Sequence, residues 1–286
     1  MLVVSLEVRQ FLQAPLVREH AAARPMVHEI VKAFERLGID AVKDLDRADL
    51  AIGDQLRSAS SLLLLAGRFD DDKIMARIKE RAQERKGEVE ILDEGGAKVF
   101  QCRLPPPPTQ NPKVALPDQF VLTVLDPGTI AIGIDRAALT EALAKKAGRR
   151  KTNVRPRLAE LVGRIESKQT VSVVYIPPAE RPAGDSTVGL TTMTGGITVT
   201  DSIATDVRLE AKDGESAKSL ADIIRQAMAK VRNILPGLAA VQLGLDRTGQ
   251  DAIREMVDSV KVNTRQNTVI VSGTITREMI DKAGGK

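Results

Sequence analysis

Leu63-Leu64-Leu65-Ala66-Gly67-Arg68-Phe69-Asp70-Asp71-Asp72-Lys73-Ile74 lines up, class by class, with Val269-Ile270-Val271-Ser272-Gly273-Thr274-Ile275-Thr276-Arg277-Glu278-Met279-Ile280. Both stretches read as strand, glycine, apolar anchor, capping residue and helix. Looser versions run from Thr129-Ile130-Ala131-Ile132-Gly133-Ile134-Asp135 into Ala138, Leu139 and Leu143, and from Val207 to Asp213 into Ala217, Leu220 and Ile224. In all four, an Asp or Thr stands where its side-chain oxygen can accept first-turn N–H groups that lack a partner inside the helix. This device predicts an α+β fold of two domains, each an antiparallel sheet with helices packed on one face. The expected domains are 1–150, opening with a helical segment, and 151–286. The recurrence of one unit suggests a tandem structural repeat.

The remaining sequence fills in this frame. Apolar residues recur at helical spacing from Val8 to Leu37, with Pro15 and Pro25 dividing three short helices, each at a first turn where its missing N–H costs nothing. A polar connection is expected through Asp44, Asp46 and Asp49. Glu88–Leu92 and Lys98–Cys102 alternate around Asp93-Glu94-Gly95-Gly96 and read as a hairpin. In the second half, Val171–Ile176, Val188–Thr192, Ile197–Thr200 and Ala204–Leu209 are strand-like, with Gly195-Gly196 expected at a turn. A helical period runs from Asp213 to about Val231, and Pro236 and Gly249 are expected to divide the residues beyond it into further helices.

Composition narrows the function classes. The 286 residues hold five Phe, one Tyr and no Trp. The core is therefore aliphatic, and a ligand site has few aromatic platforms to stack on. Forty-two basic against 38 acidic residues leave +4, too thin a surplus to imply a polyanionic partner. A single cysteine, Cys102, excludes an intrachain disulfide, and with two histidines it cannot close a zinc site of Cys and His alone. No apolar run approaches the ~20 residues of a membrane span, so no transmembrane segment is expected. Met1–Leu6 is too short for a signal-peptide core and has no basic flank, so no uncleaved leader is expected.

Lys145, Lys146, Arg149, Arg150, Lys151, Arg155 and Arg157 place seven cations in thirteen residues. They are the candidate anion-binding residues, either neutralising phosphates or forming a helix end and a solvated linker. Nothing aromatic interleaves with them, which disfavours nucleic acid. The run Pro105-Pro106-Pro107-Pro108, followed by Pro112 and Pro117, is either a polyproline ligand or a stiff loop joining two strands. Asp70-Asp71-Asp72 and Asp93-Glu94 lack the spacing of a calcium loop. His20 and His28 are separated by Pro25 and form no ligand pair, and Cys102 in an alternating strand reads as a small buried residue. Thr191-Thr192-Met193-Thr194-Gly195-Gly196 lacks the Lys-Ser or Lys-Thr of a phosphate loop. No cofactor or metal is expected, and no catalytic motif is found.

Leu65-Ala66-Gly67-Arg68-Phe69-Asp70-Asp71-Asp72-Lys73-Ile74, with Thr129-Ile130-Ala131-Ile132-Gly133 and Gly195-Gly196-Ile197-Thr198-Val199-Thr200-Asp201, resembles large paralogous families of exported two-domain α+β proteins of planctomycete-type bacteria. The resemblance implies an origin outside the cytoplasm and transfers no functional residues. The expectation is a non-enzymatic binding or interaction protein of the bacterial cell envelope, with a protein as the first partner to consider. Two alternatives stay open: a hydrolase using carboxylates assembled between the domains, and anion or nucleic-acid binding through the basic linker.

Overall fold

The computed structural model describes residues 1–19, 24–35, 38–53, 61–84, 87–94, 96–103, 119–151, 155–165, 168–178, 189–243 and 245–283. The proline run 105–117 and His20 lie outside them. The chain forms two compact units: Met1–Leu12 with Pro25–Arg155, and Gln13–Arg24 with Pro156–Lys286. The segment 13–24 groups with the second unit, whereas the sequence places it in the first domain.

In the first unit, strand β1 (Leu2–Glu7) precedes helix α1 (Val8–Gln13), and helix α3 (Arg24–Glu35) leads to β2 (Leu45–Ile52) and β3 (Ser61–Gly67). Helix α2 (Pro15–Glu19) belongs to the other unit. There follow α4 (Asp71–Glu84), β4 (Glu88–Glu94), β5 (Ala97–Arg103), β6 (Gln119–Asp126), β7 (Thr129–Gly133) and α5 (Arg136–Lys146). The seven strands pair antiparallel in the order β1-β2-β3-β7-β6-β5-β4. Strand β2 occupies most of the stretch expected as a polar connection; Leu45, Ala48, Leu50 and Ile52 carry it despite Asp46 and Asp49.

The leucine run explains where the helices sit. Leu63 and Leu65 join a core with Ile74 and Ile78 of α4, while Leu62 and Leu64 join a separate cluster with Leu139 and Leu143 of α5. Successive strand residues face opposite ways, so four leucines in a row demand cover on both faces. The α+β class holds, but this sheet carries helices on both faces, not one. Phe69 and Phe100 anchor the first of these clusters. Gly67 closes β3 against the chain: a Cβ there would lie 1.9 Å from the Asp44 carbonyl oxygen, to which the Arg68 N–H donates at 2.7 Å.

The second unit runs α6 (Pro156–Gly163), β8 (Val171–Tyr175), β9 (Leu190–Val199), β10 (Ile203–Ala211), α7 (Gly214–Leu243), α8 (Arg247–Ser259), β11 (Lys261–Arg265), β12 (Thr268–Ile275) and α9 (Arg277–Ala283). Its strands pair antiparallel in the order β8-β9-β10-β12-β11. Leu190, Ala211 and Val269 pack under Ala217, Leu220 and Ala221 of α7. Two expectations are corrected here. Neither Pro236 nor Gly249 ends a helix: α7, 30 residues long, runs on past Pro236 to Leu243, and Gly249 lies in the first turn of α8. Gly195 and Gly196 do not form a turn, because β9 is one strand that pairs with β8 and β10 across both glycines.

All four strand-to-helix turns are present. Asp70 Oδ1 accepts from the Lys73 N–H (3.0 Å), Asp135 Oδ1 from Ala137 (2.7 Å), Asp213 Oδ1 from Ser216 (2.8 Å) and Thr276 Oγ1 from Met279 (3.4 Å). Each satisfies an orphan donor of the first turn.

Candidate functional site

The seven cations are distributed over two surroundings. Lys145 and Lys146 end α5, where positive charge complements the exposed carbonyls. Lys145 Nζ lies 2.7 Å from Glu141 Oε1, and Lys146 Nζ donates to Asp126 Oδ2 at 2.8 Å and to the Leu125 carbonyl. The lysines hold both carboxyls below their usual range. Arg149, Arg150, Lys151 and Arg155 are exposed. Arg157 belongs to α6 of the second unit, where it is committed to two glutamates.

The other candidates take structural places. Asp70 caps α4, and Asp93 Oδ1 accepts from Gly96 N in the hairpin turn (2.9 Å). Glu94 pairs with Arg136. His28 is exposed on α3. Cys102 is fully buried, and that desolvation pushes its thiol up to about 12, so it stays protonated and unreactive. No cluster of three or more His, Cys, Asp or Glu able to hold a metal occurs among the described residues. No helix among them is long and apolar enough to cross a membrane.

The site that the residues do build lies on the second sheet. Strand β10 reads Asp206-Val207-Arg208-Leu209-Glu210, and period-2 alternation puts the three charges on one face and Val207 and Leu209 on the α7 side. The register sets Arg208 opposite Thr194 of β9 and Ile270 of β12, and Glu210 opposite Thr192 and Thr268. Helix α6 crosses above one part of this polar face. Beside it opens a cleft of about 450 Å³, lined among others by Arg164, Gln169, Asp206, Arg208, Glu210 and Arg265.

Its charges are arranged in two sets and a remainder. Arg157 donates to Glu160 (2.7 Å) and to Glu210, while Arg164 donates to Glu160 and to Glu210 (3.3 Å). These four side chains form a closed ring joining α6 to β10. The pairing raises Arg157 above its ordinary pKa, with Glu160 the main cause, and lowers Glu160, with Arg157 the main cause. Thr192, which is buried, also donates to Glu210 Oε2 (3.0 Å). Arg208 pairs with Asp206 on its own strand (3.2 Å). Arg265, exposed at the end of β11, has no carboxylate partner among the described residues. Among the described residues the cleft therefore carries one uncompensated positive charge. Beside it, Gln169 Oε1 is buried against Gly196 and receives no hydrogen bond among the described residues.

The glycines of β9 make room for this arrangement. A Cβ at Gly196 would fall 2.0 Å from the Val171 carbonyl oxygen and 2.6 Å from Gln169 Oε1. Gly195 has φ +143°, and a Cβ there would meet the Asp206 carbonyl oxygen at 2.2 Å. The glycines stand out in the sequence although their use does not, and Arg164, Gln169, Arg208, Glu210 and Arg265 belong to no motif. The alternation of β10 was the available signal; the convergence of residues 46 to 53 positions apart was not.

No protein-family model and no curated protein matches the chain. Among solved structures it is similar to crystal forms I and IV of TP0453, with 10% identity and a TM-score of 0.48 in each case. The alignments cover 99% and 98% of this chain and 91% and 90% of TP0453. Similarity at that level carries no inference about site or activity.

Proposed function

We propose that the protein is a non-enzymatic binding protein that takes a small polar anion in the cleft on the polar face of its second sheet. The observation that carries this reading is the charge balance of the cleft. Among the described residues the Arg157, Arg164, Glu160 and Glu210 ring is neutral, Arg208 and Asp206 cancel, and Arg265 remains. A carboxylate or phosphate group meets Arg265, while Thr194 and Thr268 offer hydroxyls. Polar specificity of this kind suits a site without aromatic platforms.

The hydrolase alternative gains no support from this cleft. Asp206 and Glu210 stand four residues apart on one strand, about 13 Å at ~3.3 Å per residue, against the ~5–10 Å of a working carboxylate pair. Both Glu210 oxygens are already occupied by donors. The linker alternative is weakened because Lys145, Lys146 and Arg157 spend their charge on neighbouring acids. A place in the cell envelope rests on the family resemblance alone.

The scaffold supports a tandem repeat. Apart from α1 and α3 between β1 and β2, and α6 before β8, each unit runs three antiparallel strands, one or two helices, further strands that return beside the third, and a last helix. On this reading the first unit carries an added hairpin, β4–β5.

Isothermal titration at low salt with citrate, glycerol 3-phosphate and inorganic phosphate tests the binding reading. Binding of at least one probe, weakened about ten-fold or more by Arg265→Gln, is expected. Absence of heat from all three at millimolar concentration, or binding indifferent to Arg265→Gln, overturns it.

A further inference from the structure

Helix α7 is longer than the sheet beneath it needs. Thirty residues span about 45 Å at 1.5 Å per residue, and the residues that enter the sheet core are Ala217, Leu220, Ala221 and Ile224, all in its first half. From Leu220 onward its apolar residues continue as Ile224, Ala227, Val231, Ile234, Leu238 and Val241, spaced 4-3-4-3-4-3. This is the a/d spacing of a helix seam. Beyond Ile224 the seam faces solvent: Ile234 is 58% exposed, Leu238 52% and Val241 86%, with Val231 and Leu235 also exposed.

The opposite side of the same half-helix is occupied. Pro236 and Ala239 are buried, and Arg232 is held by Asp258 of α8 through two hydrogen bonds (2.7 and 3.0 Å). The helix thus turns its small and charged residues toward its own unit and its large apolar ones outward, the reverse of a surface helix.

We infer that this seam is a self-association surface, and that two copies of the chain pair their α7 seams about a two-fold axis near Ile234. Two observations select a second copy. The first is area. Five exposed side chains offer roughly 400–500 Å² of apolar surface, within the ~300–600 Å² of an ordinary monomer's largest patch and at least half of the ~800 Å² that each partner contributes to a stable interface. The flanking backbone and polar atoms supply the rest. The second is charge. Gln226–Leu243 contains no acid and two cations, of which Arg232 is turned away onto Asp258. Pairing the seam with itself buries no unpaired carboxylate, and Ala227 and Gly237 let the helices approach closely. A two-fold contact is also self-complementary by construction, as an isologous interface requires.

Sedimentation velocity on the full chain from 1 to 100 µM reads the outcome. A dimer is expected, and Leu238→Glu with Val241→Glu together should weaken it at least ten-fold while the circular dichroism melt is retained. The milder Ile234→Cys keeps the seam apolar. Under mild oxidation it should cross-link to a covalent dimer, whereas Lys218→Cys, on the same helix away from the seam, should not. A wild-type chain that stays monomeric at 100 µM overturns the inference, whether or not it binds lipid vesicles or another protein. So does a dimer that ignores the glutamate pair or fails to cross-link through residue 234.

Discussion

Replacing Glu210 by glutamine separates the stability of the second unit from its ligand binding. Glu210 Oε2 accepts from Arg157 and Thr192, and Oε1 from Arg164, with the side chain 28% exposed. Glutamine keeps the shape but turns an amide NH₂ toward groups that donate, leaving at least one guanidinium without its acceptor. A charge-assisted hydrogen bond in a buried setting is worth ~1.5–3 kcal/mol. Arg157 and Arg164 are 41% and 53% exposed, so solvent screens these pairs, and surface values of ~0.2–1 kcal/mol each are appropriate. With the Thr192 contact added, the loss comes to about 1–2 kcal/mol, or a fall of about 2–8 °C in Tm at this chain length. Binding should move the other way. The register sets Glu210 and Arg265 both opposite Thr268, two strand spacings or roughly 10 Å apart, so one added net positive charge is worth on the order of 1 kcal/mol at intermediate dielectric, a few-fold tighter binding. Calorimetric melting and citrate titration of Glu210→Gln measure both. A variant that melts within 1 °C of the wild type, or binds citrate no more tightly, refutes the charge balance described for the cleft.

Other perturbations test separate parts of the structure. Glu7 on β1 has its pKa raised, chiefly by burial; its ionisation disfavours the folded state as pH climbs past the ordinary carboxyl value, so stability declines through that window and stays lower above it. Glu7→Gln should therefore raise Tm at pH 7 and give no gain below about pH 4; an equal gain at both values contradicts the burial effect. Cys102 should resist Ellman's reagent in the native protein and react stoichiometrically in 6 M guanidinium chloride, a standard strongly denaturing concentration; rapid native labelling would show its strand to be open. Gly196→Ala places a Cβ 2.0 Å from the Val171 carbonyl oxygen, and should cost about 3 kcal/mol or more through forced backbone displacement. Denaturant unfolding that shows an unshifted midpoint would mean that β8 and β9 do not approach as described.

What was legible in the residues tracked interaction range. The four helix caps join side chains to N–H groups two or three residues away, so residue type and spacing sufficed to foresee them. The best-matching pair of stretches, β3–α4 and β12–α9, occupies different places in the two strand orders. Their likeness reports the chemistry of turning a strand into a helix. The errors share a cause. Pro236 and Gly195-Gly196 are breakers by local preference, yet α7 is held by α8 and β9 by two neighbouring strands, and tertiary pairing outweighed the preference. Strand β2 is hidden in the sequence by its two aspartates, Asp46 and Asp49, which are engaged with Arg9 and Arg47.

The residues alone determined the α+β class, the aliphatic core and the strand-to-helix turns, because each depends on periodicity or on contacts within a few positions. Only the tertiary structure decided the candidate site. Glu210 meets Arg157 and Arg164 across 53 and 46 residues of chain, and Arg265 reaches the same face because β11 pairs with β12 and β12 with β10. Strand register chooses which polar side chains share a face, and it is set by the packing of a whole sheet against its helices rather than by any one segment.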